Sequence, residues 1–573
     1  MIQLPTDQAR LISFILELVE QCRGSIGSRA TYYREVNAIA ETGTSSGRKS
    51  LLNLMNVVLG RTAGHLYSPT ELRFSIDYDN EYDEKILGWA TRSARHLTMN
   101  FSRTNTDQLF GRGVFDSLKY GCTILKQWPQ RVGNNSVPKY NARLVMPWQF
   151  GVYREDVNEL EDQPALVETT MLTLPEVWQR IYHLPDAENL YKQIAAQAWD
   201  GGDSIEGPIA STHPMWPGTQ LSLDTPSGVV GAGGIVNLFG NADYAVIGPN
   251  ISVPMVKMHE VWVQGENDWR TVQIIEPNIL ITRYKINNLL TGDLNSRLQP
   301  YSIIQPTVKT GMFWGVSELA DLIRVQQWLS TTADDVQRLF GLQVDKILAF
   351  IGYDGMKDET YDQFRSAGWT AIPAGGDVKD ITPRFPPEAM PMLRLLIDFI
   401  NMVGGYPNLM MGQGDTGVRS GVQTDTLLKT GSPRLRTQSL AVERQCAKAA
   451  DLRFSLMQIK DGRKFWTDGK DQASRDASSF LLADVPEDRQ ITVDSHSSSP
   501  IFADDHEQLI AFGVKSGFLD GEDAIDDLPY PEKEKKKTRL RARQASRAAQ
   551  QKEMLEKYPQ LAEAAAKKSI TKG

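Results

Sequence analysis

Between Gly311 and Lys460 the chain runs through a long helix, a compact mixed segment, a second helix, a glycine-rich loop and a third, broken helix, an order that no other stretch repeats. Apolar residues at helical spacing from Val316 to about Phe340 predict a rod of roughly 35 Å, long for a globular helix. One face of it carries Val316, Leu319, Leu322, Ile323, Leu329, Val336, Leu339 and Phe340. The second helix, about Glu388 to Val403, is apolar almost all round, so it is expected to be covered on most sides. Gly404 and Gly405 end it and Pro407 prevents its resumption. The segment from Tyr406 to Gly421 is too long and too rich in glycine for a simple connector, and loops of that kind are commonly functional or disordered. A third helix starts near Val422, breaks at Gly431-Ser-Pro433 and continues to about Lys460.

At 573 residues the chain exceeds what one core supports and is expected to form several domains. A net charge of −8 argues against a general DNA clamp, which would show a basic balance. Three widely spaced cysteines, Cys22, Cys122 and Cys446, give neither a disulfide framework nor a Cys-x-x-Cys metal site, which fits a reducing compartment. With no signal peptide and no apolar run of membrane-spanning length, the chain is expected to be soluble and to have no membrane partner.

Ahead of the long rod, helices are predicted over about 6–22, 30–40, 51–66, 82–101, 106–120 and 175–182. Strands are predicted over 121–128, 142–146, 149–154, 165–172, 253–263, 269–275 and 279–286, an α+β pattern that is mainly helical and not a doubly wound sheet. Residues 201–234 are dense in Gly, Pro, Ser and Thr and read as a surface loop or insertion. After Lys460 come a strand at 489–494 and a helix at 504–514. A tail from 531 to 560 follows with ten Lys or Arg against four Glu, which reads as an exposed helix or a nucleic-acid contact.

Signals for chemistry are weak. Gly43, Lys49 and Ser50 fall in phosphate-loop register, but Arg48 stands where the second glycine belongs and the residues before the loop look helical. The seven histidines show no metal-ligand spacing and no Gly-x-Ser-x-Gly elbow occurs, so neither a metal, a cofactor nor an enzymatic activity is expected.

An ordered set of features resembles the portal, or head-to-tail connector, proteins of tailed bacteriophages. Ser68-Pro-Thr70 follows an N-terminal helical region, Asp116-Ser-Leu-Lys-Tyr-Gly-Cys-Thr-Ile-Leu125 runs from helix into strand, and Phe313-Trp-Gly-Val-Ser317 opens a long helix. The Gly404-Gly-Tyr-Pro407 stop, the glycine-rich loop with Thr416, Gly417 and Gln423, and the proline-broken helix complete the set, over roughly residues 30–540. The resemblance implies a portal fold of wing, stem, clip and crown that closes into a ring, usually of twelve subunits, around a channel at one capsid vertex of the virion.

Carried onto this chain, residues 1–310 form the N-terminal wing, 311–340 the first stem helix, 341–387 the clip and 388–405 the second stem helix. Residues 406–421 form the tunnel loop, 422–502 the kinked wing helix and wing strands, and 503–573 the crown and basic tail. Leu322, Leu329, Leu396 and Phe399 become stem and oligomer packing residues, and Tyr353, Lys357 and Trp369 clip residues for docking the terminase motor and later the head-completion, adaptor and tail proteins. Major capsid and scaffolding proteins are further implied partners, with double-stranded DNA a transient one. Gln413, Asp415, Thr416 and Arg419 are the candidates to face DNA; Arg419 serves equally well as the partner of Asp415 on a neighbouring subunit. Two other readings stay open, a non-conducting structural or scaffolding protein of the capsid and a phosphate-loop packaging ATPase centred on Lys49.

Overall fold

The computed structural model describes residues 3–24, 26–45, 49–69, 72–78, 84–130, 139–197, 255–266, 268–282, 286–291, 296–344, 348–351, 377–381, 384, 386–404, 433–466, 479–493, 512–516 and 540. The N-terminal part contains α1 (Gln8–Arg23), α2 (Ile26–Thr42), α3 (Met55–Leu66), β1 (Phe74–Tyr78), α4 (Glu84–Arg103) and α5 (Thr106–Tyr120). Then come β2 (Thr123–Gln130), β3 (Lys139–Val145), β4 (Phe150–Val152), β5 (Ala165–Thr173), α6 (Leu174–Ile181) and α7 (Ala187–Ala195). Beyond these lie β6 (Met255–Gln264), β7 (Trp269–Ile275), β8 (Ile279–Leu280) and β9 (Tyr301–Ile304). The remainder comprises α8 (Ile323–Val344), β10 (Leu348–Ile351), β11 (Asp377–Asp380), α9 (Ala389–Val403), α10 (Pro433–Lys460), β12 (Lys464–Trp466), β13 (Ser479–Leu481) and β14 (Arg489–Val493). The fold is α+β.

Alternation along the strands explains how the largest sheet, β4-β5-β6-β7-β8, is covered on both faces. Ala165 and Val167 of β5, Val261 and Val263 of β6, and Val272 and Ile274 of β7 share one face, which packs against Leu11, Ile15, Leu18 and Val19 of α1. On the other face Leu166 and Trp262 join the main core, while Leu172, Met258 and Ile275 meet Val177, Ile181, Leu190 and Ile194 of α6 and α7. A smaller sheet, β3-β2-β9, adds Ile124, Leu125, Tyr301 and Ile304 to that main core, where α3, α4, α5, α8 and α10 converge.

The free edge of β9 is closed by side chains. Gln299 accepts from the Tyr301 amide and donates to its carbonyl, each at 2.8 Å. Gln445 of α10 does the same for Gln305, at 2.8 and 2.9 Å.

Two of the stretches quoted above touch. Gly121 and Gly315 both have positive φ, 99° and 64°, and a Cβ on Gly121 would stand 2.7 Å from the Trp314 carbonyl oxygen. A Cβ on Gly315 would in turn stand 2.7 Å from the Gly121 carbonyl oxygen, so the two chains cross where only glycine fits. Next to the crossing, the Glu318 amide donates to the Leu118 carbonyl at 2.8 Å and the Ser317 hydroxyl donates to the same oxygen at 3.2 Å.

That anchoring corrects one expectation. The long helix does not open at Val316; residues 318–322 form turns and α8 begins at Ile323, because Ser317 and Glu318 are committed to the end of α5 and the Ser317 hydroxyl accepts from the Leu319 amide. The expected strand over 279–286 shortens to Ile279–Leu280, and the helix expected from residue 51 starts at Met55. Strands β1, β9, β12 and β13 and the helix α7 were not expected; β1 pairs antiparallel with β14 from Phe74 opposite Val493 to Tyr78 opposite Arg489. Of the helix expected at 504–514, residues 512–514 are described and are helical; the rest, the 201–234 segment and nearly all of the basic tail lie outside the described residues.

Candidate functional site

The helices α8 and α9 pack on each other and carry between them the antiparallel pair β10–β11, in which Leu348 faces Asp380 and Ile351 faces Asp377. Among the described residues, burial is confined to the root of this hairpin. No described residue of α8 beyond Ala333 is buried, nor is any of α9 before Leu393. The hairpin therefore stands out from the core, with a two-stranded sheet at its far end whose described residues Ile351, Asp377, Lys379 and Asp380 are exposed.

Its root is tied to the core by polar groups, of which Glu318, Gln438, Gln326 and Ser330 are buried and Arg434 is exposed. Arg434, in the first turn of α10, forms an ion pair with Glu318 Oε2 at 3.1 Å and reaches the Val403 carbonyl at the end of α9 at 3.4 Å. Gln438 donates to the same carboxylate oxygen of Glu318 and to the Thr307 hydroxyl, both at 2.9 Å. One carboxylate thus joins the segment leading into α8 to the start of α10, beside the end of α9. On the other side of α8, Gln326 donates to the Leu52 carbonyl at 2.7 Å and Ser330 donates to the Gly43 carbonyl at 2.8 Å.

The nearly all-apolar sequence of α9 resolves into two opposed faces. Leu393, Leu396 and Ile400 are buried in the main core, whereas Leu395, Phe399 and Met402, spaced i, i+4 and i+7, lie on the other side of the helix. Phe399 is 38% and Met402 65% exposed. Among the four stem residues singled out from sequence, Leu322, Leu329 and Leu396 belong to the chain's own core and Phe399 alone lies on the outer stripe. The loop candidates Gln413, Asp415, Thr416 and Arg419 and the clip candidates Tyr353, Lys357 and Trp369 lie outside the described residues, as does the break at 431 and 432.

Two buried polar clusters elsewhere escaped the sequence reading. Between the two larger sheets, Lys126 lies 2.6 Å from both Glu168 and Glu260, and Arg143 pairs with Glu168. Tyr301 donates to Glu168 at 2.8 Å, while Trp262 and Gln273 donate to Glu260 at 2.9 and 3.1 Å. Burial pushes the Lys126 ammonium down to about 8, against the pull of Glu260. For Glu260 burial acts to raise the pKa, but the ammonium at 2.6 Å, together with Arg180 and the Trp262 N–H, outweighs it and holds the carboxylate low. Two cations face two carboxylates, so the cluster is neutral as a whole and is a structural tie between sheets.

The second cluster has the outline of a catalytic relay, with Thr169 Oγ1 2.8 Å from His259 Nδ1 and His259 Nε2 2.7 Å from Glu276 Oε1. Arg23 of α1, however, donates to the same threonine oxygen, and Thr169 and His259 are each 1% exposed. A hydroxyl enclosed in this way has no approach for a substrate. With its oxygen accepting from Arg23, the hydroxyl donates to Nδ1 and Nε2–H donates to Glu276, which assigns a neutral imidazole. The cluster fastens the end of α1 to β5 and β6.

At the Lys49 loop the order is helix, loop, helix. The loop leaves α2 at Gly43, Ser50 donates its amide to the Thr42 carbonyl at 2.8 Å, and the next helix waits until Met55. A phosphate loop instead follows a strand and opens directly into a helix. Among the described residues no group of three or more His, Cys, Asp or Glu is placed to hold a metal ion, and no helix is long and apolar enough to cross a membrane.

Contacts such as Gln438 to Glu318 and Lys126 to Glu260 join residues 120 and 134 positions apart, a distance over which no local pattern in the chain signals them. No protein-family model and no curated protein matches this chain.

Proposed function

We propose that the chain is the subunit of a portal ring, the channel at one capsid vertex through which viral double-stranded DNA is packaged and later ejected. The observation that carries this reading is the outer stripe of α9. A helix with Leu393, Leu396 and Ile400 turned inward has no need within one chain of Leu395, Phe399 and Met402 on its opposite side, and exposed apolar surface of this kind marks association. In a closed ring each copy presents one surface to the copy before it and a different one to the copy after it, so a helical hairpin is enclosed by its neighbours. Support also comes from the ordered motifs of the sequence and from the standing hairpin with its terminal strand pair, the shape a stem and clip require.

In this reading α8 and α9 are the stem, β10 and β11 part of the clip that docks the terminase motor and then head-completion, adaptor and tail proteins, and α10 the helix returning to the wing. The 406–421 segment is the tunnel loop facing DNA, and residues 503–573 the crown and tail. Capsid and scaffolding proteins surround the ring at the vertex of the virion. Negative-stain microscopy of the purified protein tests the proposal: rings with an axial hole are expected, and a population of single chains at micromolar concentration would end it.

A further inference from the structure

The helix α4 divides cleanly into two faces. Ala90, Ser93, Ala94, Leu97 and Phe101 are buried, and on the opposite side Lys85, Arg92, Arg95 and Arg103 are exposed. From Lys85 to Arg103 the row covers 18 steps of the helix, about 27 Å. After Glu84 the helix contains no acidic residue, and among the described residues no carboxylate lies within ion-pair distance of any of the four. This contrasts with the chain as a whole, whose net charge is −8.

Helix stability does not account for the row. Arg103 in the last turn does favour the helix dipole, but Lys85 in the first turn opposes it, and Arg92 and Arg95, near mid-helix, repel each other across one turn. Cations kept in such places without an ion-pair partner among the described residues are suited to an external polyanion. Three of the four are arginines, whose guanidinium fork matches phosphate oxygens.

We infer that the exposed face of α4 is a contact surface for the phosphate backbone of duplex DNA, binding without sequence preference. An acidic protein segment is the less favoured occupant, because the one large apolar side chain exposed in the row is Met99. Trp89, with Lys85 5.1 Å over its ring, is half-buried and stacked on Phe480, and so is already engaged rather than offered as an anchor. The contact does not depend on ring formation. It is measurable on the chain in any oligomeric state, so its failure and that of the portal reading are separate outcomes.

Fluorescence anisotropy with a short labelled duplex, over a series of salt concentrations, is the test. Four phosphate contacts give a slope of log affinity against log salt of about −3.6, equivalent to roughly a hundredfold weakening between 50 and 200 mM. The triple variant R92Q/R95Q/R103Q should reduce the slope to about −0.9, whereas R324Q/R338Q on α8 should leave it unchanged. Should the triple variant fold poorly, acetylation of Lys85 in the unaltered protein serves instead, with DNA expected to protect it. The inference is overturned if the unaltered protein shows no salt-dependent duplex binding, if Lys85 is acetylated equally with and without DNA, or if polyglutamate at equal charge concentration competes as strongly as DNA.

Discussion

Lys126 holds two carboxylates that are 1% and 2% exposed, and an uncompensated buried charge is among the more damaging defects a core can carry. Lys126→Met should therefore lower the unfolding free energy by about 3–5 kcal/mol in urea titration, although methionine fills similar volume. An unchanged midpoint would mean that Arg143 and Tyr301 suffice for Glu168, and Trp262 and Gln273 for Glu260. His259 makes a prediction in pH. Burial lowers its pKa from the ordinary value near 6.5, with the neighbouring Arg23 and Lys257 acting in the same direction and Glu276 in the other. The unfolded chain thus binds a proton that the folded chain refuses, and the histidine's contribution to stability, complete above pH 6.5, is lost as the pH falls toward its lowered folded value. Urea midpoints measured from pH 7.5 to 5 should decline less steeply in His259→Gln than in the unaltered protein. Parallel profiles would show that His259 is not the titrating group.

At the scale of elements, the two faces of α9 separate folding from association. Leu396 is fully buried, and Leu396→Ala should cost about 2–5 kcal/mol and lower the melting temperature of the chain itself. Phe399→Ala should leave melting of the isolated chain within about 0.5 kcal/mol, as for a surface position, while impairing ring formation in sedimentation velocity. If both variants assemble and melt normally, α9 is not an interface. The existence and extent of α5 and α9 were legible because apolar periodicity ran up to a clear stop, Gly121 in one case and Gly404 in the other. The start of α8 was not, since its apolar pattern continues back to Val316 and the turn is imposed by a carbonyl of α5 some 200 residues earlier in the chain. Nor was β1 legible. Phe74-Ser-Ile-Asp-Tyr78 alternates apolar and polar residues, but over five positions the pattern is too short to stand out, and the strand is completed by β14, over 400 positions away.

Across the whole molecule, the sequence was most informative where separate stretches had to meet. Asp116 to Leu125 and Phe313 to Ser317 stood out as phrases, and they cross at Gly121 and Gly315, where backbone passes backbone without room for a side chain. The polar ties at Glu318 and Lys126 were invisible for the opposite reason, because glutamate and lysine are common surface residues and only the third dimension shows them buried. The glutamines along β9 have a consequence of a different kind. A carboxamide presents the same donor and acceptor as a peptide group but has nothing beyond it to extend, so Gln299 and Gln445 act as one-unit strands that terminate the row. At Tyr301 and Gln305 this margin thereby offers no free peptide group for the runaway stacking that leads to fibrils, and copies brought together in the ring proposed above would have to meet there through side chains.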